Sequence, residues 1–509
     1  MSTATTTGYG LFTGQEVAES CFIDGRWLEG ASELSAHVVN PANETSLARV
    51  RFASVGQVES AVSAAKRALD GSEWRAFGPR DRHRLLHAYA DAIEAAADEL
   101  VDVMIDETGS TLVLARVAQV NTAIEVFRWF ADAALRGPEG GYERGVPLFS
   151  TPGLSAGLIV QEPAGVVASI TAYNYPLLLL ARKLGGVLAS GCTTVVMPSE
   201  RSPLTTIMAF RILEQLDLPK GVANLVVGGI DAGQALTTHP AVDLVTFTGS
   251  VKIGEAVMRQ GATGTKRVVL ELGGKSPTIL LPGAMTPGFV PWSVLRYSVH
   301  AGQGCGCTTR TLIPRGDYDE YVETASRFVE TLKVGDPRDE STAVGPLIRA
   351  EHRAMVEGYV ERALEAGGSI LGGGGRPDTP AGYFMNPTIV GGLDNSAEIA
   401  QEELFGPVGV VMPFDSVDDA IRIANDSKYG LNAAVWGEPE QAMQVARRLR
   451  SGTVAINGGG GFNAAAPWGG FRASGIGRES GEDGFREFFE VKFLHWPIGA
   501  PGGKPVGMK

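Results

Sequence analysis

Residues 165–200 read GVVASITAYNYPLLLLARKLGGVLASGCTTVVMPSE. Val166–Ala172 is a short apolar run rich in β-branched and small residues. A turn pinned by Pro176 follows, then a stretch at Leu177–Ser190 long enough for a helix, then a second apolar run at Thr193–Met197. The alternation continues: strand-like runs at Ala223–Val227, Leu244–Thr248 and Val268–Leu272 are separated by helical stretches near Leu204–Leu216, Ala232–Thr238 and Ile253–Gln260. Strands that are apolar along their whole length, with helices between them, predict a parallel sheet covered on both faces, a Rossmann-like α/β unit.

Upstream, Cys21–Leu28 reads as a short strand and Val55–Leu69 as a helix. A further helix opens near Asp81, where Leu85, Leu86, Tyr89, Ile93, Ala96, Ala97 and Leu100 recur at helical spacing until Gly109. Downstream, after Gly274, a second α/β pattern includes Tyr318–Leu332, His352–Ala366, Val408–Met412, Val417–Asn425 and Gln441–Arg450. The Pro/Gly-rich Gly137–Gly153 region with Leu158–Gln161 reads as a projecting β-hairpin whose free edge invites pairing. No internal repeat or low-complexity segment is evident.

A chain of 509 residues exceeds one core, and its length alone suggests ~3 domains. The formal charge of −13 argues against a nucleic-acid groove or an anionic-membrane surface as partner. Its 66 glycines exceed the usual ~7% but follow no period, so they mark turns and close approaches. Met1–Gly10 lacks the basic and apolar regions of a secretory signal, and runs such as Leu177–Ala181 fall far short of the ~20 residues that span a bilayer. The 4 cysteines make no disulfide framework, and no residue is assigned to a metal. Cytoplasm is the expected compartment.

Three separated stretches carry the chemistry: Gly302-Gln303-Gly304-Cys305-Gly306-Cys307-Thr308-Thr309-Arg310, Leu270-Glu271-Leu272-Gly273-Gly274-Lys275-Ser276-Pro277, and Thr171-Ala172-Tyr173-Asn174-Tyr175-Pro176. They offer a thiol nucleophile, a carboxylate and an amide donor. A nucleophilic cysteine needs donors that favour the thiolate, and the glycines around Cys305 are expected to leave its sulfur uncovered. Alone it would read better as a buried structural thiol. Cys307 is a packing residue or a strained disulfide partner of Cys305. Glu271, at a strand end, is costly to bury unless it is paired or works as a base on water. Asn174 is either an Asx-turn residue or an oxyanion donor.

Taken together these motifs resemble the NAD(P)-dependent aldehyde dehydrogenase superfamily, from about Ile23 to Trp496. The resemblance implies that Cys305 attacks the aldehyde to give a thiohemiacetal, with Asn174 and the Cys305 N–H holding the oxyanion. Hydride then passes to the nicotinamide, and water activated by Glu271 hydrolyses the thioester. Lys183 and Glu479 match a proton relay. For the cofactor it implies Thr171, Tyr173, the turn with Gly249, Ser250 and Gly254, Glu200 on the adenosine ribose, and Glu403 and Phe405 near the nicotinamide. Glu200 favours NAD, with NADP possible. The family's usual lysine before Pro198 is Met197 here, which implies weaker cofactor binding.

Arg182 matches an arginine that binds a distal carboxylate in semialdehyde dehydrogenases; the alternative is a salt-bridged arginine at a domain interface. Phe462, in the substrate-access loop 458–467, is a candidate aromatic wall. The implied division is a dinucleotide-binding domain (1–139 and 163–274), a catalytic domain (275–483), and an oligomerisation arm (140–162 and 484–509) of a homodimer or homotetramer. A CoA-acylating enzyme, a cysteine esterase without redox chemistry and a silent binding protein are the alternatives. The first typically lacks the equivalent of Glu271, the second has no use for the nucleotide turn and Glu403, and the third would be expected to lose one of Cys305, Glu271 and Asn174.

Overall fold

The apolar runs after Gly165 form the centre of an eight-stranded sheet in a computed structural model that describes residues 15–498 apart from 18, 151, 152 and 460. Met1–Gly10 and residues 499–509, the end of the expected arm, lie outside the described residues. From one edge to the other, the sheet runs Gly475–Ile476, Arg267–Glu271, Leu244–Thr248, Val166–Ile170, Thr193–Met197, Ala223–Val226, Glu19–Ile23 and Arg26–Glu29. The five strands from 166 to 271 are mutually parallel, as expected, and their helices cover both faces. Cys21–Leu28 proves to be two antiparallel strands joined at Asp24-Gly25, where both residues have positive φ.

Chain order moves outward from Val166–Ile170 in one direction through Thr193 and Ala223, then returns to its other side at Leu244. Such a reversal opens a crevice beyond the carboxyl ends of the strands, where ligands of open α/β sheets bind. Thr171, Gly249 with Ser250, and the end of Arg267–Glu271 all border it.

A second sheet has the order Ser369–Gly373, Thr388–Gly391, Val408–Phe414, Thr308–Pro314, Ser276–Leu280, Asn432–Trp436 and Thr453–Ile456. It is parallel except at the Ser369–Gly373 edge. The chain passes from Glu271, at the carboxyl end of a strand in the first sheet, through four residues to Ser276, which opens a strand of the second. Ser276 pairs with Thr308, just after the cysteine loop. The two sheets are therefore joined end to end at the motif residues. The short strand Gly475–Ile476 then returns to pair with Leu270 and Glu271.

A three-stranded antiparallel sheet contains Glu143–Ser150, Leu154–Pro163 and Phe489–Pro497. The last strand pairs with the hairpin from Phe489↔Pro163 to Pro497↔Ser155.

One set of elements was not expected. Leu114–Asn121 winds as a π-helix and runs into the α-helix Thr122–Arg136. The wider turn rotates the apolar stripe of the first segment relative to the second, so no single 3.6-residue period fits both. The helix near Asp81 likewise ends at Ala95, and Ala97–Thr108 is a separate helix closed by Gly109 at φ 69°.

Candidate active site

The cysteine loop is held in a costly backbone conformation. His300, Ala301 and Gly302 have φ of 55°, 50° and 72°, and each non-glycine residue there costs ~1–3 kcal/mol. Gly302 fits because a Cβ would collide with the Gly406 carbonyl at 2.1 Å. Gln303, fully buried, ties the loop down. Its side-chain amide donates to the carbonyls of His300 (3.1 Å) and Pro346 (3.2 Å). Its Oε1 accepts from the Tyr173 hydroxyl (3.1 Å) and the Ile348 N–H (2.9 Å). The Gln303 carbonyl accepts from Asn174 Nδ2 at 2.8 Å, and His300 Nε2 donates to the Asn174 carbonyl at 2.9 Å. Burial pushes His300 down to about 4 and so keeps it neutral. The Asn174 turn and the cysteine loop are thus locked to each other. One hydrogen of the Asn174 amide is used in this lock, and the other remains free to donate.

The glycines around Cys305 are also required by the protein's own packing. A Cβ on Gly304 would sit 3.0 Å from Cys307 Sγ, and one on Gly306 would sit 2.8 Å from the Trp468 ring. All four cysteines are free, so the Cys305–Cys307 disulfide is not formed. Cys21 and Cys192 are buried, whereas Cys305 and Cys307 are half-buried. The expectation of a thiolate-favouring pocket needs correction. Burial above all, opposed by Arg182 and reinforced by Glu271 and Glu403, pushes the Cys305 thiol up to about 12.

Glu271 lies 2% exposed at the end of its strand, and neither carboxyl oxygen has a hydrogen-bond partner. The segment at Gly469 crosses it so closely that a Cβ there would lie 2.8 Å from Glu271 Oε1. Burial, and then the neighbouring Glu479, raise its pKa well above the ordinary carboxylate value. Glu479 accepts from Lys183 Nζ at 2.5 Å, and Lys183 also donates to Thr246 Oγ1 at 2.8 Å. The second oxygen of Glu479 is buried and unpartnered. Lys183, Glu479 and Glu271 form one buried electrostatic group whose members come from three distant parts of the chain.

Arg182 is buried at 6% exposure and makes no salt bridge among the described residues, so it is not the ion-paired interface residue of the alternative reading. Its guanidinium lies 4.7 Å from the Phe462 ring centroid and 5.3 Å from that of Trp468. Its Nε has no partner. Trp468 went unassigned in the sequence; Pro467-Trp468-Gly469-Gly470, a large ring beside two glycines, was the available signal.

At the crevice of the first sheet, Thr171 Oγ1 and Thr248 Oγ1 are buried without partners. The helix Val251–Ala262 opens there with Ser250 at its N-cap, and the Ser250 side chain makes no capping bond. Unused donors at a helix N-terminus and two orphaned hydroxyls suit an anionic dinucleotide. Gly249 and Gly254 contribute closeness: a Cβ on the first would strike Phe247, and on the second Leu272, each at 2.5 Å. Glu200 is partly exposed, 4.0 Å from Arg201 Nε. The buried Met197 turns its thioether against Gly233. Glu403 accepts from the Gly274 N–H at 2.9 Å, and burial raises it to about 7. Phe405, at φ 54°, packs edge-on against Tyr173 with centroids 6.0 Å apart. Cys305, Asn174, Glu271 and Glu403 are therefore brought together at the junction of the two sheets, whereas Glu200 is exposed beyond the end of Thr193–Met197.

A sequence model of the aldehyde dehydrogenase family matches residues 27–494. The chain is 38% identical to a betaine aldehyde dehydrogenase of Bacillus subtilis over 94% of its own length and 97% of the relative's. It is 39% identical to a 3-succinoylsemialdehyde-pyridine dehydrogenase of a Pseudomonas species, covering 92% of this chain and 97% of that one. Among solved structures, the betaine aldehyde dehydrogenase of Staphylococcus aureus in complex with NAD+ superposes with a TM-score of 0.92 at 35% identity, covering 96% of each chain. Aldehyde dehydrogenase C of Pseudomonas syringae, solved with NAD+ and octanal, gives 0.88 at 36% identity, covering 94% of this chain and 96% of that one. The chain belongs to the aldehyde dehydrogenase family, and oxidation of an aldehyde to the carboxylic acid is its reaction.

Proposed function

We propose that this chain is a hydrolytic, NAD-dependent aldehyde dehydrogenase, with Cys305 as nucleophile, Asn174 and the Cys305 N–H as oxyanion donors, and Glu271 as the base that activates water. The supporting observation is the buried, unpartnered Glu271 carboxyl at the junction that also carries the cysteine loop. A carboxylate there has a use in hydrolysing a thioester and none in passing the acyl group to CoA.

The residues divide the work as follows. NAD, when bound, accepts the hydride. Thr171, Thr248, Ser250 and the first turn of Val251–Ala262 hold its phosphates and nearby groups, Glu200 its adenosine ribose, and Tyr173, Glu403 and Phe405 its nicotinamide side. Cys305 gives up its thiol proton to solvent and its sulfur adds to the aldehyde carbon. The free Asn174 N–H meets the oxygen that becomes negative, a contact worth ~3–4 kcal/mol at the transition state. After oxidation Glu271 takes one proton from water as the water attacks the thioester; the C–S bond breaks, the other water proton passes to the sulfur, and the carboxylate and the free thiol are released. Lys183 and Glu479 then carry the proton away from Glu271.

The substrate bears a negative charge at its far end. Betaine aldehyde carries a quaternary ammonium, which aromatic faces bind well. Here Arg182 already occupies the faces of Phe462 and Trp468. A cationic aldehyde meets like charge there, whereas a carboxylate finds an unpaired guanidinium.

Residues 1–139 and 163–274 serve as the dinucleotide-binding domain, 275–483 as the catalytic domain, and 140–162 with 484–509 as the arm through which copies pair into a dimer or tetramer in the cytoplasm. No helix of the described residues is long and apolar enough to cross a membrane.

The test is NADH formation over carboxylate-bearing, neutral and quaternary-ammonium aldehydes, with NAD and NADP in parallel and Cys305→Ala as control. Activity undiminished in the control sinks the mechanism. A preference for betaine aldehyde over carboxylate-bearing aldehydes sinks the substrate class alone.

A further inference from the structure

Away from the sheet junction, the helices Pro79–Ala95 and Thr122–Arg136 pack side by side. His83 and His87 lie one turn apart on the same face of the first helix, and Asp132 faces them from the second. The two imidazole rings stand edge to face with centroids 4.5 Å apart. Asp132 Oδ1 is 3.2 Å from His87 Nε2 and 3.6 Å from His83 Nδ1. One donor atom from each of the three residues lies within 4.8 Å of the others.

We propose that His83, His87 and Asp132 form a site for a divalent late first-row transition ion, typified by Zn2+, which ties the two helices together. Zinc bonds of about 2.0–2.2 Å to nitrogen and oxygen place neighbouring ligands of a tetrahedron about 3.3 Å apart. The two separations to Asp132 bracket that spacing, and the third, between the imidazole donors, is no more than 4.8 Å and is closed by rotation of the histidine side chains. Two imidazoles and one carboxylate suit zinc, copper or nickel better than magnesium or calcium. The histidines are half-buried and Asp132 is exposed, so solvent reaches the site and water completes the coordination. His83 Nδ1 lies 3.1 Å from the Ala131 carbonyl and donates to it in the ion-free protein. On binding, the ion takes the Nδ1 position and the ring's single proton moves to Nε2. The competing account, a hydrogen-bonded His–Asp cluster, predicts no saturable metal binding.

The test uses the full chain, stripped with a chelator and titrated with Zn2+ against a chromophoric competitor. Cys305 and Cys307 are alkylated beforehand so that thiols do not contribute. We expect roughly one bound equivalent in the wild type, weakened about tenfold or more in His83→Ala and His87→Ala. Zn2+ should also raise the wild-type Tm, and that rise should vanish in both variants. Copper EPR should show imidazole nitrogen ligands in the wild type and lose them in the variants. Without metal, the variants should match the wild type in Tm and, unalkylated, in NADH formation. If a histidine variant unfolds early, Asp132→Asn, changed at an exposed position, carries the same comparison. Saturable binding that persists unchanged in these variants, or none to the wild type at micromolar Zn2+, overturns the proposal.

Discussion

At Glu271 the surroundings set both the reaction and its pH dependence. Burial, with Glu479 beside it, lifts the carboxyl above its ordinary range, and Cys305 is pushed up to about 12. The Cys305 thiol therefore rests protonated at neutral pH, and Glu271 keeps its proton to higher pH than an ordinary carboxyl does; each proton must leave before its group can act. Thioester hydrolysis should rise with pH until Glu271 is ionised. Glu271→Gln removes the base: a pre-steady-state burst of NADH should remain while steady turnover falls by about 10²–10⁴. An equal loss of burst and turnover would place Glu271 in the first half-reaction instead. The same shift has a stability sign. Because the folded pKa is raised, the unfolded chain releases this proton first, so the carboxyl favours folding less as pH rises from its unfolded value of ~4.3. The Tm of Glu271→Gln relative to the wild type should therefore increase as pH rises above ~4.3; a constant difference across the scan would show that the group does not titrate with a raised pKa. Asn174→Ala should lower kcat by about 10²–10³ with little change in the NAD KM. A loss confined to KM would reduce Asn174 to its structural bond with Gln303.

At the scale of elements, the helix Val251–Ala262 and the strand ends around it decide how the cofactor is gripped. Gly254 lets this helix sit on Leu272, and Gly254→Ala should cost about 1–3 kcal/mol by overpacking. It should also raise the NAD KM, because the displaced helix carries Ser250 with it; thermal unfolding and initial rates measure the two effects. At the neighbouring strand end, Met197→Lys should lower the NAD KM by restoring a charged donor; an unchanged or higher KM defeats that reading. Elements of this sheet were legible in the sequence because each strand is apolar on both faces and each helix is bounded by turn residues. Pairing across the chain was not. Lys183 and Glu479 meet across 296 positions, and nothing local to either announces the other. The π-helical turn at Leu114–Asn121 hid a whole helix by breaking its period. The glycines around Cys305 were visible, but Gly406 and Trp468, which crowd Gly302 and Gly306, are their neighbours only in tertiary structure. The thiol's high pKa followed from the same packing, so composition alone pointed the other way.

At the scale of the molecule, the strand Phe489–Pro497 is paired on one side and, among the described residues, open on the other. It pairs with Leu154–Pro163 along its length, yet Val491, Phe493, Leu494 and Trp496 are 65, 50, 45 and 48% exposed. A long apolar edge strand left in water is an aggregation hazard unless another chain covers it. Most of the three-stranded sheet is exposed within one chain, including Leu148 and Leu154 at 61 and 50%. Its side chains therefore add little to the stability of the monomer, and the pairing proposed for the arm would bury them against a second copy. The arm is anchored at Ala164, whose N–H donates to the Phe488 carbonyl at 2.9 Å, and Cys192 Sγ approaches the same carbonyl at 3.4 Å. Closing the outer edge should thus also steady Pro176–Ser190, the helix that carries Arg182 and Lys183. Val491→Lys with Phe493→Lys puts charge on the uncovered strand without touching the site. Sedimentation should show a smaller assembly for this double variant, and its Tm should become lower and independent of protein concentration. If the assembly is unchanged, the strand is not the contact between copies. If it shrinks while kcat stays intact, the arm serves stability alone, and the helix bearing Arg182 and Lys183 holds its place without the partner.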